Sequence, residues 1–189
     1  MTTTETTVLP PGSLTGNYAL DLAHSRVGFS ARHAMVTKVR GGFNDFEGSG
    51  YIDEQTPANS NFQLTIKAAS IDTRNADRDN HLRTNDFLAF DQYPEITFRS
   101  TEVNPVSSTH FKVTGDLTIR GVTKPVIVDL EFTGAVTDPW GNTRLGFEAG
   151  TTINRKDWGV NWNMALEAGG VLVSEKVNLE LELAVVKIA

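Results

Sequence analysis

Four histidines, at positions 24, 33, 81 and 110, are the side chains of this 189-residue chain best suited to moving a proton at neutral pH. Asp21, His24 and Ser25 stand close enough together to raise a Ser–His–Asp reading. In such a site the histidine takes the serine proton and the acid orients the imidazole. The Gly-x-Ser-x-Gly turn that presents the serine in one large class of hydrolases does not occur in the chain. Asp21, His24 and Ser25 fit better as a turn held by side-chain-to-backbone bonds. His33 and His81 are the remaining candidates for a general base, and His33 also reads as a buried, hydrogen-bonded residue at a strand end. No cysteine is present, which removes thiol catalysis and every Cys-based zinc site. The histidines lack paired His-x₃-His spacing, and although ligands can assemble from distant segments, no metal and no other cofactor is expected. Arg26, Arg32, Arg78 and Arg83 could grip a phosphate with their planar forks. The competing role for them is ion pairing with Asp21, Asp72, Asp77 or Asp86.

The elements that must position these groups are strands. Near the C-terminus Val177, Leu179, Leu181, Leu183 and Val185 alternate with Asn178, Glu180, Glu182 and Ala184. A strand sends successive side chains to opposite faces, so the first set faces a core and the acids face water. Phe62, Leu64 and Ile66 repeat the pattern, as do Phe111 and Val113 with Leu117 and Ile119 beyond Gly115. Val126, Val128, Leu130 and Phe132 share one parity, and so do Leu145, Phe147 and Ala149. Val27, Phe29 and Ala31 predict an early strand, and Ile96 and Phe98 another after Pro94. Gly41-Gly42, Asp53 to Asn61, Asn104-Pro105, Gly121 and Asp138 to Asn142 read as the turns between them. The segment 75–90 breaks the alternation and predicts a short helix or lid with Leu82, Phe87, Leu88 and Phe90 on its apolar side.

About eight antiparallel strands can close into a barrel whose interior is either filled by side chains or holds one ligand. The pattern leaves those two open. Gly28, Gly115 and Gly146 lie inside strand runs, where glycine marks a bulge, a corner or a close approach. Residues 1–16 are rich in Thr, Pro and Gly and predict a tail, with the barrel domain over 17–189. With 17 basic residues against 23 acidic ones and a net charge of -6, the chain is not built for nucleic acid or for charge-driven attachment to anionic membranes. No apolar stretch is long enough for a spanning helix, and no stable membrane insertion is expected. The N-terminus lacks a basic and an apolar signal region, so the expected location is cytoplasmic.

Several segments, taken in order, resemble the YceI-like family of polyisoprenoid-binding, lipocalin-like proteins. They are Leu20-Asp21 with His24-Ser25, residues 29–33, 39–43 and 46–48, then Ser70-Ile71-Asp72-Thr73, 78–83 and 86–88. Residues 93–98, 115–125 and 153–155 with Asp157-Trp158-Gly159 complete the set, which spans nearly the whole chain from Asn17. The resemblance implies an all-β fold: an extended eight-stranded antiparallel lipocalin-like barrel with a short helix or lid. It implies that the interior holds a polyisoprenoid chain, such as an isoprenoid quinone or prenyl pyrophosphate, and the expected function is its binding, storage or transport without catalysis. Its wall would be Val27, Phe29, Ala31, Phe62, Leu64, Phe98, Leu117, Leu130, Leu145, Phe147, Leu179, Leu181 and Leu183, with Trp158 beside Trp162 closing one end. Arg32, His33, Arg78 and Arg83 become head-group candidates. Each buried CH₂ contributes about 0.8 kcal/mol, so tail length would set affinity and mouth polarity would set selection. The alternatives are a lipocalin-like enzyme acting on a hydrophobic substrate, and a filled barrel serving as an interaction module. A homodimer is compatible with any of the three.

Overall fold

The computed structural model describes residues 10–188. Its strands are β1 (Gly16–Leu20), β2 (Arg26–His33), β3 (Thr37–Phe43), β4 (Phe46–Ile52), β5 (Asn61–Lys67), β6 (Ile71–Asp72), β7 (Glu95–Pro105), β8 (His110–Ile119), β9 (Val122–Thr137), β10 (Thr143–Asn154) and β11 (Val173–Lys187). One α-helix of the described residues, α1 (Ala76–Arg83), lies between β6 and β7. The sheet order is β1-β4-β5-β7-β8-β9-β10-β11-β2-β3-β6, and β1 also pairs with β11. Three pairs of segments are therefore single strands with a break: β1 with β2, β3 with β4, and β5 with β6. Counted so, the molecule is a closed, eight-stranded, antiparallel up-and-down barrel.

Closure falls to β11. One of its edges pairs with β10 from Lys176 to Val186. Its other edge pairs first with β2, from Val173 to Glu182, and then with β1, from Val185 to Lys187. The gap between is bridged at Ala184. Its amide donates to the Ser25 hydroxyl at 2.9 Å, and its carbonyl accepts from the Asp21 amide at 2.8 Å and from Ser25 Oγ at 3.3 Å. The Ser25 hydroxyl is thus spent on the backbone, which removes the nucleophile from the Ser–His–Asp reading. β9 has 16 residues and β11 has 15, against a usual 5–6. At roughly 3.3 Å per residue β11 runs for about 50 Å, so the barrel is long.

Gly41-Gly42, expected as a turn, lies inside β3, and the chain turns instead at Ala34–Val36 and steps at Asn44–Asp45. These glycines serve close approach. A Cβ on Gly41 would come 2.6 Å from the tip of the Phe29 ring, and one on Gly42 would come 2.9 Å from the Val27 carbonyl. The same device recurs. Phe62 lies across Gly50, where a Cβ would meet its ring at 3.2 Å, and Phe98 covers Gly115 so closely that a Cβ there would overlap the ring. Each ring lies along the wall instead of projecting across the interior. Strands β3 and β4 escaped the alternation reading because Gly41, Gly48 and Gly50 stand at inward positions where large apolar residues would mark a period of two.

A polar strut braces the end of the barrel that carries the β9–β10 turn. Arg144 donates to Asp138 at 2.7 Å and to Asp21 at 2.8 Å, and Asp21 also meets His24 Nδ1 at 2.7 Å. The Arg144 guanidinium and the Asn142 and Trp140 donors hold the Asp138 carboxyl down to about 2. For Asp21, burial pushes the pKa up, but the bonds from Arg144 and His24 outweigh it and the net direction is down. A carboxylate depressed in the folded state lends stability above its unfolded pKa of about 4. That contribution disappears as pH falls through the folded value.

Two outcomes are expected. The urea midpoint should fall between about pH 4 and the folded Asp138 pKa of about 2, and Asp138→Asn should flatten that fall; an unchanged slope would remove the strut from the account. Gly115→Ala should cost about 1–3 kcal/mol through crowding, and Phe98→Leu should recover much of it, measured by a double-mutant cycle of urea melts.

Candidate ligand-binding site

The barrel encloses a cavity of about 520 Å³, inside the roughly 300–1,000 Å³ range of small-molecule sites. Its wall is built by strand parity. Val126, Val128, Leu130 and Phe132 of β9 and Val177, Leu179 and Leu181 of β11 point inward, yet they stay half-buried, because the surface they retain is the cavity wall. Their neighbours Ile127, Asp129, Glu131, Asn178, Glu180 and Glu182 are exposed outside. A barrel packed solid by its own side chains would bury the first set. Hydrophobic clusters close the bore instead towards its ends: Ile66, Ala68, Ile96, Leu117, Ile153 and Trp158 in one, and Tyr18, Leu145 and Val185 in the other.

One end is capped by the α1 segment. Asn75 caps the helix by accepting from the Arg78 amide at 3.0 Å. Leu82, Phe87 and Leu88 line the cavity, and Phe90 packs on the core cluster, as the apolar side expected for 75–90 requires. The lid is bolted to the sheet. Buried Asp79 accepts from the Thr73 amide at 2.8 Å and from its hydroxyl at 2.6 Å. Arg120, in the β8–β9 turn, donates to the Asn85 and Phe87 carbonyls. At the opposite end the cavity reaches Asp53, Glu54, Ser60 and Ser108. Leu14 also lines it there, its amide donating to Glu54 at 3.2 Å, so the chain is already docked before β1 begins. Below it Tyr18 is buried, and burial followed by the Glu54 charge pushes its hydroxyl up to about 12. The rest of the expected tail, residues 1–9, lies outside the described residues.

Val27, Phe29, Ala31, Phe62, Leu64, Phe98, Leu117, Leu130, Leu145, Phe147, Leu179, Leu181 and Leu183 all lie on the cavity wall. Trp158 does not. It is 3 % exposed and donates its indole N–H to the Leu117 carbonyl at 2.9 Å, within the cluster beneath the lid. Trp162 sits over the lid, with ring centroids 4.7 Å from His81 and 5.3 Å from Phe87.

The head-group candidates fall elsewhere. Arg32 and His33 are exposed at the end of β2, so His33 is not the buried residue considered from the sequence. Arg78 donates to the Thr73 hydroxyl and carbonyl at 2.7 and 2.8 Å. Arg83 donates to the Ala69 and Ile71 carbonyls at 2.8 and 3.0 Å and to Asn80 at 3.1 Å. Both guanidinium groups hold the lid to the β5–β6 strand through backbone oxygens, not through the carboxylates expected as their partners. The cation that does border the cavity is Arg155, which sequence reading passed over. It is 5 % exposed and donates to the carbonyls of Ser174 at 2.8 Å, Val160 at 2.6 Å and Val173 at 3.3 Å. Burial lowers its pKa, with Glu175 opposing. A guanidinium has five N–H donors, so this one has donors to spare. Its position just after β10, in the Ile153-Asn154-Arg155 segment, was the available signal.

None of His24, His33, His81 and His110 borders the cavity. His81 meets Asp86 at 2.8 Å on the outer side of the lid. Among the described residues no three His, Cys, Asp or Glu side chains are placed to share a metal ion, and no helix is long and apolar enough to cross a membrane.

Comparison with known proteins agrees with this architecture. The family model for the YceI-like domain matches residues 18–185. A Photorhabdus laumondii protein, UPF0312 protein plu2095, is 46% identical over 148 residues, 77% of each chain. A Staphylococcus aureus relative, UPF0312 protein SA2479, is 39% identical over 165 residues, covering 87% of this chain and 94% of its own. Among solved structures, Burkholderia cenocepacia BcnA matches with a TM-score of 0.77 at 24% identity, over 87% of this chain and 98% of that one. A polyisoprenoid binding domain from Saccharophagus degradans matches at 0.68 with 17% identity, over 90% and 98%. At those identities the structural matches speak for the fold, while the family model and the two bacterial relatives speak for descent: the chain belongs to the YceI-like domain family.

Proposed function

We propose that the barrel binds one long polyisoprenoid lipid, of the isoprenoid quinone or prenyl pyrophosphate type, and stores or transports it without acting on it chemically. The observation that carries this reading is the apolar bore itself. A cavity of about 520 Å³, walled by Phe, Leu and Val from nearly every strand, offers dispersion contact and exclusion of water along its length. It offers little by which to fix a rigid polar molecule. The name of the Saccharophagus degradans structure, a polyisoprenoid binding domain, supports the same ligand class. Ordering a flexible tail costs entropy, so the affinity gained per isoprene unit stays below the simple transfer value. The head would rest at the lid end, where Arg155 supplies a buried cation with donors to spare. A pyrophosphate or a quinone carbonyl can accept from it.

Mass spectrometry of an organic extract of the purified protein should find an isoprenoid at close to one per chain; an empty protein that also refuses added isoprenoids would end this reading. A second comparison places the tail. Leu181 faces the bore and Glu182 faces water. Leu181→Trp should keep the melting temperature of the lipid-free protein but weaken isoprenoid binding by tenfold or more, since the indole fills tail space. Glu182→Trp should leave binding within about twofold of the parent. Equal binding by both would mean that the tail does not run past β11.

A further inference from the structure

The largest exposed apolar side chains at the lid end gather at one spot. Met35 and Val36, at the tip of the β2–β3 hairpin, are 64% and 75% exposed. Met164 and Val171, in the loop between β10 and β11, are 58% and 37% exposed. Hairpin and loop are joined: the Ala34 amide donates to the Leu172 carbonyl at 2.7 Å, the Leu172 amide donates to the Met164 carbonyl at 2.9 Å, and the Met35 sulfur lies over Gly170. The tip holds an unfavourable backbone. Ala34 and Met35 both have positive φ, 50° and 63°, and the Val36 amide closes the turn on the His33 carbonyl at 3.2 Å. Turns with positive φ at both central residues are dominated by Gly, Asn and Asp, and strain of this sort is kept where the surroundings or a function demand it.

Charge adds a direction. Arg32, Lys38 and Arg40 flank the tip, all exposed, and among the described residues none lies within salt-bridge distance of a carboxylate. The hairpin from residue 32 to 40 contains no acid, although the whole chain carries -6. Glu167, on the facing loop, is the one carboxylate between Val160 and Val173. An apolar tip collared by cations matches the profile of an anionic bilayer, with apolar side chains below the phosphates and cations among them. Each such cation strengthens attachment by roughly fivefold near an anionic surface. Salt screens charges more than about 10 Å away, so at a docked face the nearby cations outweigh the distant acids that make up the net charge of -6.

The patch also sits where lipid could pass. Ala31 and Val173, on either side of the hairpin base, line the cavity. Trp162, on the same loop as Met164, contacts the lid through the rings of His81 and Phe87. No hydrogen bond among the described residues joins that loop to the lid, whereas the other flanks of the lid are pinned by Arg78, Arg83 and Arg120. The seam between loop and lid is therefore the wall of the cap held by ring contacts alone.

From this we infer that the Ala34–Val36 tip and the Met164–Val171 loop form a docking surface for an anionic lipid bilayer, at which the barrel exchanges its lipid along the Trp162 seam. The inference rests on the lipid-binding reading above, and its test separates the two. Lipid-free protein would be sedimented with phosphatidylcholine vesicles, with and without phosphatidylglycerol. Uptake of an isoprenoid quinone would be followed when it is delivered from those vesicles and, separately, from ethanol. The parent should bind the anionic vesicles in a salt-sensitive way. Val36→Asp with Met164→Asp, and separately Lys38→Glu with Arg40→Glu, should weaken vesicle binding at least tenfold and slow vesicle-borne uptake, while uptake from ethanol stays as in the parent. Trp140→Ser, at the opposite end and 82% exposed in the parent, should change none of these. Docking is overturned if the parent takes up quinone from ethanol but does not bind vesicles, if the hairpin and loop variants bind them like the parent, or if Trp140→Ser is the change that abolishes binding. Failure of the parent to take up quinone by either route would instead remove the lipid-binding reading.

Discussion

The one requirement on which everything else in this molecule hangs is that β11 must satisfy two partners along a single edge. Backbone N–H and C=O groups cannot be left unpaired at a buried seam, and an open edge would recruit other chains. Handing that edge from β2 to β1 breaks the first strand in the middle, and the break is filled by Ser25 and Asp21 against Ala184. The neighbouring strands step at the same level, where the Asn44 amide meets the Ser70 carbonyl and the Lys67 amide meets the Asp45 carbonyl. The residues of the apparent Ser–His–Asp site are therefore the hardware of a corner. What reads as chemistry in the sequence does mechanical work in the fold.

The hollow follows from closure combined with wall thickness. Glycines under Phe29, Phe62 and Phe98 let large rings lie along the sheet, so the wall is greasy but thin. Replacing such ring-over-glycine pairs by ordinary aliphatic pairs would move carbon towards the axis and fill the space. The clusters that do fill it stand towards the ends, beneath the lid at Trp158 and around Tyr18. The charged lining groups are confined to the rims, with Arg155 at the lid end and Asp53 and Glu54 at the other. Such a division suits a ligand that is apolar along most of its length.

How far the sequence announces this depends on what each residue must face. Strands β9, β10 and β11 were legible because water on one side and an apolar bore on the other enforce strict alternation, as at Leu179 to Leu183 against Glu180 and Glu182. The wall residues followed from the same parity. β3 and β4 were hidden because Gly41, Gly48 and Gly50 take up inward positions, close beneath the rings of Phe29 and Phe62 on the next strand. The arginines misled for a related reason. A guanidinium that grips a backbone carbonyl leaves no trace in sequence, since every residue has a carbonyl, so Arg78 and Arg83 could be read as ligand groups and Arg155 could be overlooked.

The pairing of β1 with β11 has a further consequence, in time. Leu20 faces Val185 across a separation of 185 − 20 = 165 residues, whereas every other neighbour of β1 arrives within the first 52 residues. Contacts so distant along the chain carry a large loop-closure cost and form slowly. Until they form, the nascent molecule is a curled sheet with two long free edges and its future interior open along one side. The apolar face of the bore stays wet until the last strand pairs, so the hollow becomes a sealed interior only at the final step of folding.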